Sequence, residues 1–209
     1  MKKIKLILLL PLFVFSQDFS NEKKEFDKIY ENLNNAGKWG DNDVKGTINY
    51  ISNEKIISAL KMPKYGDKVS LSFNLSNDST TINKSEYDNI SKFEHILSYF
   101  DFRGYNWAID DFKIAYHGFT YSHIDALNHL SNNNIFYNNN KSPENLGIEN
   151  YLEGIVSKGV LIDIPLLKNK KFIKSGYKIS IKDILDFEKK FNVKIEKGDI
   201  LIIRTGRWK

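Results

Sequence analysis

Between Tyr116 and Leu130 the chain reads Tyr-His-Gly-Phe-Thr-Tyr-Ser-His-Ile-Asp-Ala-Leu-Asn-His-Leu, and this stretch holds three of its four histidines. Within it, His123, Asp125 and His129 stand in an H-x-D-x-x-x-H spacing. Neutral imidazole nitrogens and one hard carboxylate oxygen are donors that zinc, manganese or iron accept. Residues two apart in an extended segment share a face, so His123 and Asp125 would point together, with His129 swinging in from the next turn. Asp and His also cap turns and fill polar niches in cores, so the spacing alone leaves a structural reading open. The fourth histidine, His95, is isolated among aromatic residues and stays outside the proposed set.

The motif needs elements to hold it. Phe112, Ile114 and Tyr116 alternate with polar residues, which predicts a strand that delivers His117 and the motif at its end, where loops carry chemistry. Val69, Leu71, Phe73 and Leu75 alternate in the same way and predict another half-buried strand, followed by a long polar surface loop over 76–91. Downstream, the apolar run Gly159 to Pro165 reads as a buried strand, and Asp199 to Arg204 as a second. Between them Ser180 and Asp183 form a capping box for a helix through Lys190, with Ile181, Ile184, Leu185 and Phe187 on or near one face.

Upstream, Phe26, Ile29, Tyr30 and Leu33 recur at helical spacing and predict an amphipathic helix ending near Ala36, before Gly37. Asn53 reads as the cap of a short helix stopping before Pro63. Ile135 to Tyr137 is a candidate short strand, and Ile148 to Val156 a helix interrupted at Gly154. Helices interleaved with buried apolar runs give an α/β class.

The 209 residues are 41% hydrophobic, enough for one domain with a sizeable core. Lys2, Lys3 and Lys5 precede an apolar run from Leu6 to Phe15, a signal-peptide pattern over residues 1–16 with cleavage before Gln17. The expected mature unit is then a single exported domain over 17–209 without a membrane span. Formal net charge is +5, of which those three lysines supply three, leaving +2 for the remainder. With no basic stripe and no interleaved aromatics, nucleic acid is not an expected partner. There is no cysteine, so disulfides and lipid-anchored thiols are excluded. The asparagine runs Asn132 to Asn134 and Asn138 to Asn140 are read as composition without function. No phosphate-binding glycine loop and no Gly-x-Ser-x-Gly elbow occurs, which disfavours nucleotide and serine-hydrolase chemistry.

Four ordered blocks carry a family resemblance. Trp39-Gly-Asp-Asn-Asp-Val-Lys-Gly-Thr-Ile-Asn49 resembles the entry segment of the metal-dependent cyclase family, which includes kynurenine formamidases and isatin hydrolase. Ser122-His-Ile-Asp-Ala-Leu-Asn-His129 resembles that family's Thr-His-x-Asp-Ala-x-x-His metal motif. Lys158-Gly-Val-Leu-Ile-Asp163 and Lys197-Gly-Asp-Ile-Leu-Ile-Ile-Arg-Thr-Gly206 resemble two of its strands.

The resemblance implies a swivelling β/β/α domain, a divalent metal (zinc or manganese) and hydrolysis of a formamide or cyclic imide, with a small molecule as substrate and a homo-oligomer as the assembly. It makes His123 and Asp125 ligands and His129 either a ligand or the neighbouring acid/base. In such a site the ion lowers the pKa of a water to about 7 and polarises the carbonyl, and His129 would protonate the leaving nitrogen. Two departures stand out. Phe119 occupies the position where the family usually has a further histidine, and His117 is the candidate replacement. Family chains also continue beyond the Arg-Thr-Gly strand with another His and a Glu for the metal, so the resemblance implies an incomplete, C-terminally truncated ligand set. The competing expectation is an exported binding protein with a structural metal or an aromatic pocket at Tyr116, Phe119 and Tyr121.

Overall fold

The computed structural model describes residues 20–72, 74–76, 93–117 and 121–207. The expected signal segment, most of the 76–91 loop, and Phe119 lie outside the described residues. The architecture is α/β, in the order α1 (Ser20–Leu33), α2 (Asn53–Leu60), β1 (Phe93–Phe102), β2 (Tyr105–Ile114), β3 (Gly159–Asp163), α3 (Ile164–Leu167), α4 (Ile181–Phe191) and β4 (Ile200–Arg204). Short 3-10 turns fill the stretch between β2 and β3.

The packed body is the β3–α3–α4–β4 unit. β3 and β4 pair in parallel, Gly159 against Ile200 through Asp163 against Arg204, and a parallel pair requires a crossover, which α3 and α4 provide. Val160, Ile162, Ile164 and Phe187 form its buried cluster, with Ile184, Phe191 and Val193 packed against it. Each such apolar side chain fully removed from water contributes about 1.5–3 kcal/mol. The apolar run expected as one buried strand to Pro165 divides at Asp163. There the Asp163 carboxylate accepts the Leu166 N–H at 2.9 Å and caps α3, with Pro165 in the first helical turn. Arg204 at the end of β4 donates to both oxygens of Asp163 at 2.8 Å, fastening the two strand ends.

The capping box of α4 forms as the sequence predicts: Ser180 Oγ accepts the Asp183 N–H, and Asp183 accepts the Ser180 N–H at 2.9 Å. Its inward face is Asp183, Ile184 and Phe187; Ile181 and Leu185, expected on or near that face, are turned to solvent. Burial is selected by the neighbours that β3 offers, and the apolar stripe is wider than the surface available. Asp183 is buried because Lys168, Tyr177 and Ser180 surround its carboxylate, and the Lys168 ammonium foremost holds its pKa far below the usual carboxylate range.

Four local expectations are corrected. Val69 and Leu71 belong to no strand and are exposed, because no described strand lies alongside to take up their backbone hydrogen bonds. Ile135 to Tyr137 makes one isolated bridge, Asn132 with Ile135, then a 3-10 turn, since left-handed Asn133, Asn134 and Asn138 curl the chain back on itself. Helix beyond Ile148 stops at Tyr151, short of Gly154, whose φ is +73°. α2 is capped by Ser52, whose side chain accepts the Lys55 N–H at 3.3 Å, and Asn53 is its first residue.

β1 and β2 form an antiparallel ribbon from Phe93 against Ile114 to Phe102 against Tyr105. Both faces carry exposed apolar side chains, among them Ile96, Phe100 and Trp107. His95 Nε2 lies 2.6 Å from the Asp110 carboxylate across the ribbon, a partner that accounts for it without a metal.

Candidate metal centre

Two buried residues bracket the motif. Tyr121 is buried and donates its hydroxyl to the Ser76 carbonyl at 3.3 Å; Ala126 is buried five residues later. Between these anchors the chain is extended and irregular, which leaves His123 and Asp125 free of any ladder. β2 ends at Ile114 and brings His117 to the same place three residues on.

His123 Nε2 lies 3.5 Å from Asp125 Oδ1, and His117 Nδ1 lies 3.6 Å from the same oxygen. One donor atom from each of the three residues falls within 4.8 Å of the others. A tetrahedral ion with bonds of about 2.1 Å sets its donors roughly 3.4 Å apart, so both measured separations suit such a sphere. The chemistry of the set suits it equally: two imidazoles and one hard oxygen.

The imidazole of His123 is held in a defined state. Its Nδ1 sits 3.0 Å from the Tyr121 carbonyl, which only accepts, so Nδ1 carries the hydrogen and Nε2, the lone-pair nitrogen of the neutral ring, faces Asp125. A ring N–H fixed on a backbone carbonyl is the usual support of a ligating histidine. The His123 side chain is 18% exposed, whereas Asp125 at 53% and His117 at 63% leave the outer side of the cluster open to water and ligands.

His129 is near the set yet differently engaged. It closes a single 3-10 turn, Leu127–His129, and its Nδ1 accepts the Ala126 N–H at 3.0 Å. With that lone pair occupied, the neutral ring carries its hydrogen on Nε2. The ring stacks on His117 with centroids 5.4 Å apart, and His117 lies 5.2 Å from the His123 ring.

A second polar cluster, which the sequence reading passed over, shapes the neighbouring wall. Asn138 in left-handed conformation accepts the Gly37 N–H at 2.6 Å and donates to the carbonyls of Gly40, Asp41 and Asp43. Asp43 in turn accepts from Tyr137 Oη at 2.7 Å, Asn49 Nδ2 at 2.7 Å and Gly46 N at 2.9 Å. Burial pushes the Asp43 carboxyl up, but these donors outweigh it and the net shift is downward. Burial, then the bond to Asp43, raises Tyr137 well above the ordinary phenol range, so it remains a neutral hydroxyl. The dismissed asparagine run therefore contains the clamp that joins the entry segment to the motif's flank. Its one sequence signal was an Asn tolerant of positive φ between aromatic and polar residues.

A family model described as a putative cyclase matches residues 69–209. A crystal structure described as that of a novel cyclase is similar at TM-score 0.74 and 28% sequence identity. That likeness covers 85% of this chain and 62% of the other, so the present chain spans less than two thirds of its length. No curated protein matches the chain.

Proposed function

The chain belongs to the putative cyclase family, and from that premise we propose that it is a metal-dependent hydrolase of amide bonds, acting on an arylformamide or a cyclic imide. The observation that carries the proposal is the convergence of His117, His123 and Asp125 within 4.8 Å. His123 Nε2, Asp125 Oδ1 and His117 Nδ1 would hold a zinc or manganese ion. When bound, the ion supplies Lewis acidity, polarising the scissile carbonyl and making a nucleophilic water available at neutral pH.

The chain's own residues divide the remaining work. Tyr121 fixes the His123 tautomer through its carbonyl. Asp125 contributes one negative charge, offsetting half that of a dication. His129, with Nδ1 occupied by Ala126, presents Nε2–H on a ring adjoining His117. That arrangement disfavours metal ligation through Nε2 and leaves an N–H that can hydrogen-bond the scissile amide, on the side of the alternative, left open by the resemblance, in which His129 is not a ligand. The open outer side at Asp125 and His117 admits a substrate carbonyl.

The test is release of amine and formate from N-formyl aromatic amines by the zinc- or manganese-loaded chain, with cyclic imides in parallel. Turnover that disappears on chelation and returns on readdition of metal is the expected outcome. Saturable binding without turnover by any loaded form would overturn the hydrolase reading in favour of a binding protein.

A further inference from the structure

Between Asp163 and Asp183 the chain runs for 19 residues without an acid and with six lysines, Lys168, Lys170, Lys171, Lys174, Lys178 and Lys182. Residues 17–209 carry a formal net charge of only +2, so outside this run they hold four more acidic than basic groups. Charge of one sign gathered in one segment acts on partners and not on the fold. The folded chain decides which of the six ammonium groups stay available. Lys168 pairs with Asp183, Lys178 with Glu22 at 3.0 Å and Lys182 with Asp186 at 2.7 Å. Lys170, Lys171 and Lys174 are exposed and meet no acid among the described residues.

These three stand on a loop of fixed shape, between α3 and α4. The Lys170 N–H donates to the Pro165 carbonyl at 2.9 Å, which brings the chain back against the start of α3. The Ile173 N–H donates to the Thr205 carbonyl, just past β4, also at 2.9 Å. Leu167, Ile173 and Ile179 pack against the core cluster and pin the loop along its length. Gly206 lies tight beneath it: a Cβ there would meet the Lys171 carbonyl oxygen at 2.7 Å and Phe172 Cα at 3.0 Å. Phe172, between the lysines, nevertheless remains 46% exposed, and Leu166 on α3 54% exposed. A further ammonium stands at the margin, with Lys190 Nζ 3.4 Å from the Leu167 carbonyl oxygen.

We propose that this loop docks the protein on anionic phospholipid bilayers, with Lys170, Lys171 and Lys174 at the headgroup phosphates and Phe172 and Leu166 in the interfacial layer. Charge complementarity supplies the first argument. A lysine near an anionic leaflet raises affinity about fivefold, and as a compact point charge it needs no bidentate geometry from its partner. Charge alone would suit any polyanion. The exposed Phe172 among the lysines selects a partner with an apolar layer beneath its charges, since aromatic side chains settle at the membrane interface. The pinned backbone lowers the ordering cost of docking. Neither the metal centre nor its substrate enters this inference.

The chain has no cysteine, so Ser175→Cys in the full chain takes a single environment-sensitive fluorophore at this loop. That label reports the loop even where the apolar leader itself enters a bilayer, and Leu152→Cys, 88% exposed and outside the run, is the control position. The label at 175 should shift to the blue on vesicles of phosphatidylcholine with phosphatidylglycerol, and not on phosphatidylcholine alone. The control label should not shift on either. The shift should vanish at about 1 M salt, where the Debye length is roughly 3 Å. Lys170→Gln, Lys171→Gln and Lys174→Gln together should abolish it at unchanged helical signal, and Phe172→Ser should weaken lipid affinity about tenfold. Inorganic phosphate at the concentration of the lipid phosphate should leave the shift in place. Absence of a shift, an equal shift on neutral vesicles, or a shift that survives the triple substitution overturns the proposal. Reversal by free phosphate would make the loop a simple anion site, and capture of polyglutamate without a shift on vesicles would make it a surface for acidic polypeptides; either result also overturns it.

Discussion

Replacing Asp125 by Asn keeps the shape of the proposed metal centre and removes one negative charge from it. The magnitude follows from position. The Asp125 side chain is 53% exposed, which places it at the water-like end of the dielectric range. A dication and a carboxylate at about 2.1 Å attract there by roughly 4 kcal/mol. An amide oxygen recovers little of that, so zinc affinity should fall about a thousandfold. Competitive chelator titration at neutral pH reads this directly on the full chain. The thermal midpoint of the metal-free protein should move little, since half-exposed substitutions usually cost within about 0.5 kcal/mol. A change in zinc affinity below tenfold, with the fold intact, would refute the charge argument and remove Asp125 from the donor set.

His129→Asn retains an acceptor for the Ala126 N–H and deletes the Nε2–H. Metal content should persist while kcat falls about a hundredfold, as for removal of one hydrogen-bond donor to the reacting amide, and loss of metal in this variant would instead make His129 a ligand. Asp183→Asn should destabilise the chain by about 3 kcal/mol in urea unfolding, because a buried, multiply bonded carboxylate loses its charge beside Lys168; a cost under 1 kcal/mol would contradict the buried pair. The depressed pKa of Asp183 stabilises the fold above its ordinary value of 3.8 and loses that contribution as pH falls from there toward the lower folded value. The wild-type unfolding midpoint should therefore drop across that acidic window, and Asp183→Asn should flatten the drop. Gly198 has φ +79°, and a Cβ there would sit 2.6 Å from the Tyr50 carbonyl oxygen. Gly198→Ala should then cost about 2 kcal/mol or more by thermal denaturation, and an unchanged midpoint would mean that the Tyr50 loop yields.

The sequence by itself determined the features that rest on local chemistry. The capping box at Ser180 and Asp183, the strands at Val160 and Ile202 (expected buried, but with Leu161, Leu201 and Ile203 exposed), the amphipathic Phe26–Leu33 stripe and the His-x-Asp pair are each set by side chains a few residues apart. Local spacing encodes such relations because a helix or an extended segment fixes its own periodicity. The failures share a cause. Val69 and Leu71 have a strand's alternation but no described partner strand, and alternation does not supply one. Ile181 and Leu185 are as apolar as Ile184, yet only the contact with the β3 layer decides which face is buried.

Only the tertiary structure could bring His117 to the cluster. His117 stands six residues before His123, a separation with no fixed geometry, and it lies 3.6 Å from Asp125 three residues beyond the end of β2. The separate engagement of His129 was equally hidden, since the tautomer follows from which backbone group each ring nitrogen meets. The same holds for a cleft lined by α1, the Gly46 loop and the Ala126 segment, which are far apart in the chain. Residue type names the available donors, and the folded backbone decides which of them share a space and which lone pairs stay free.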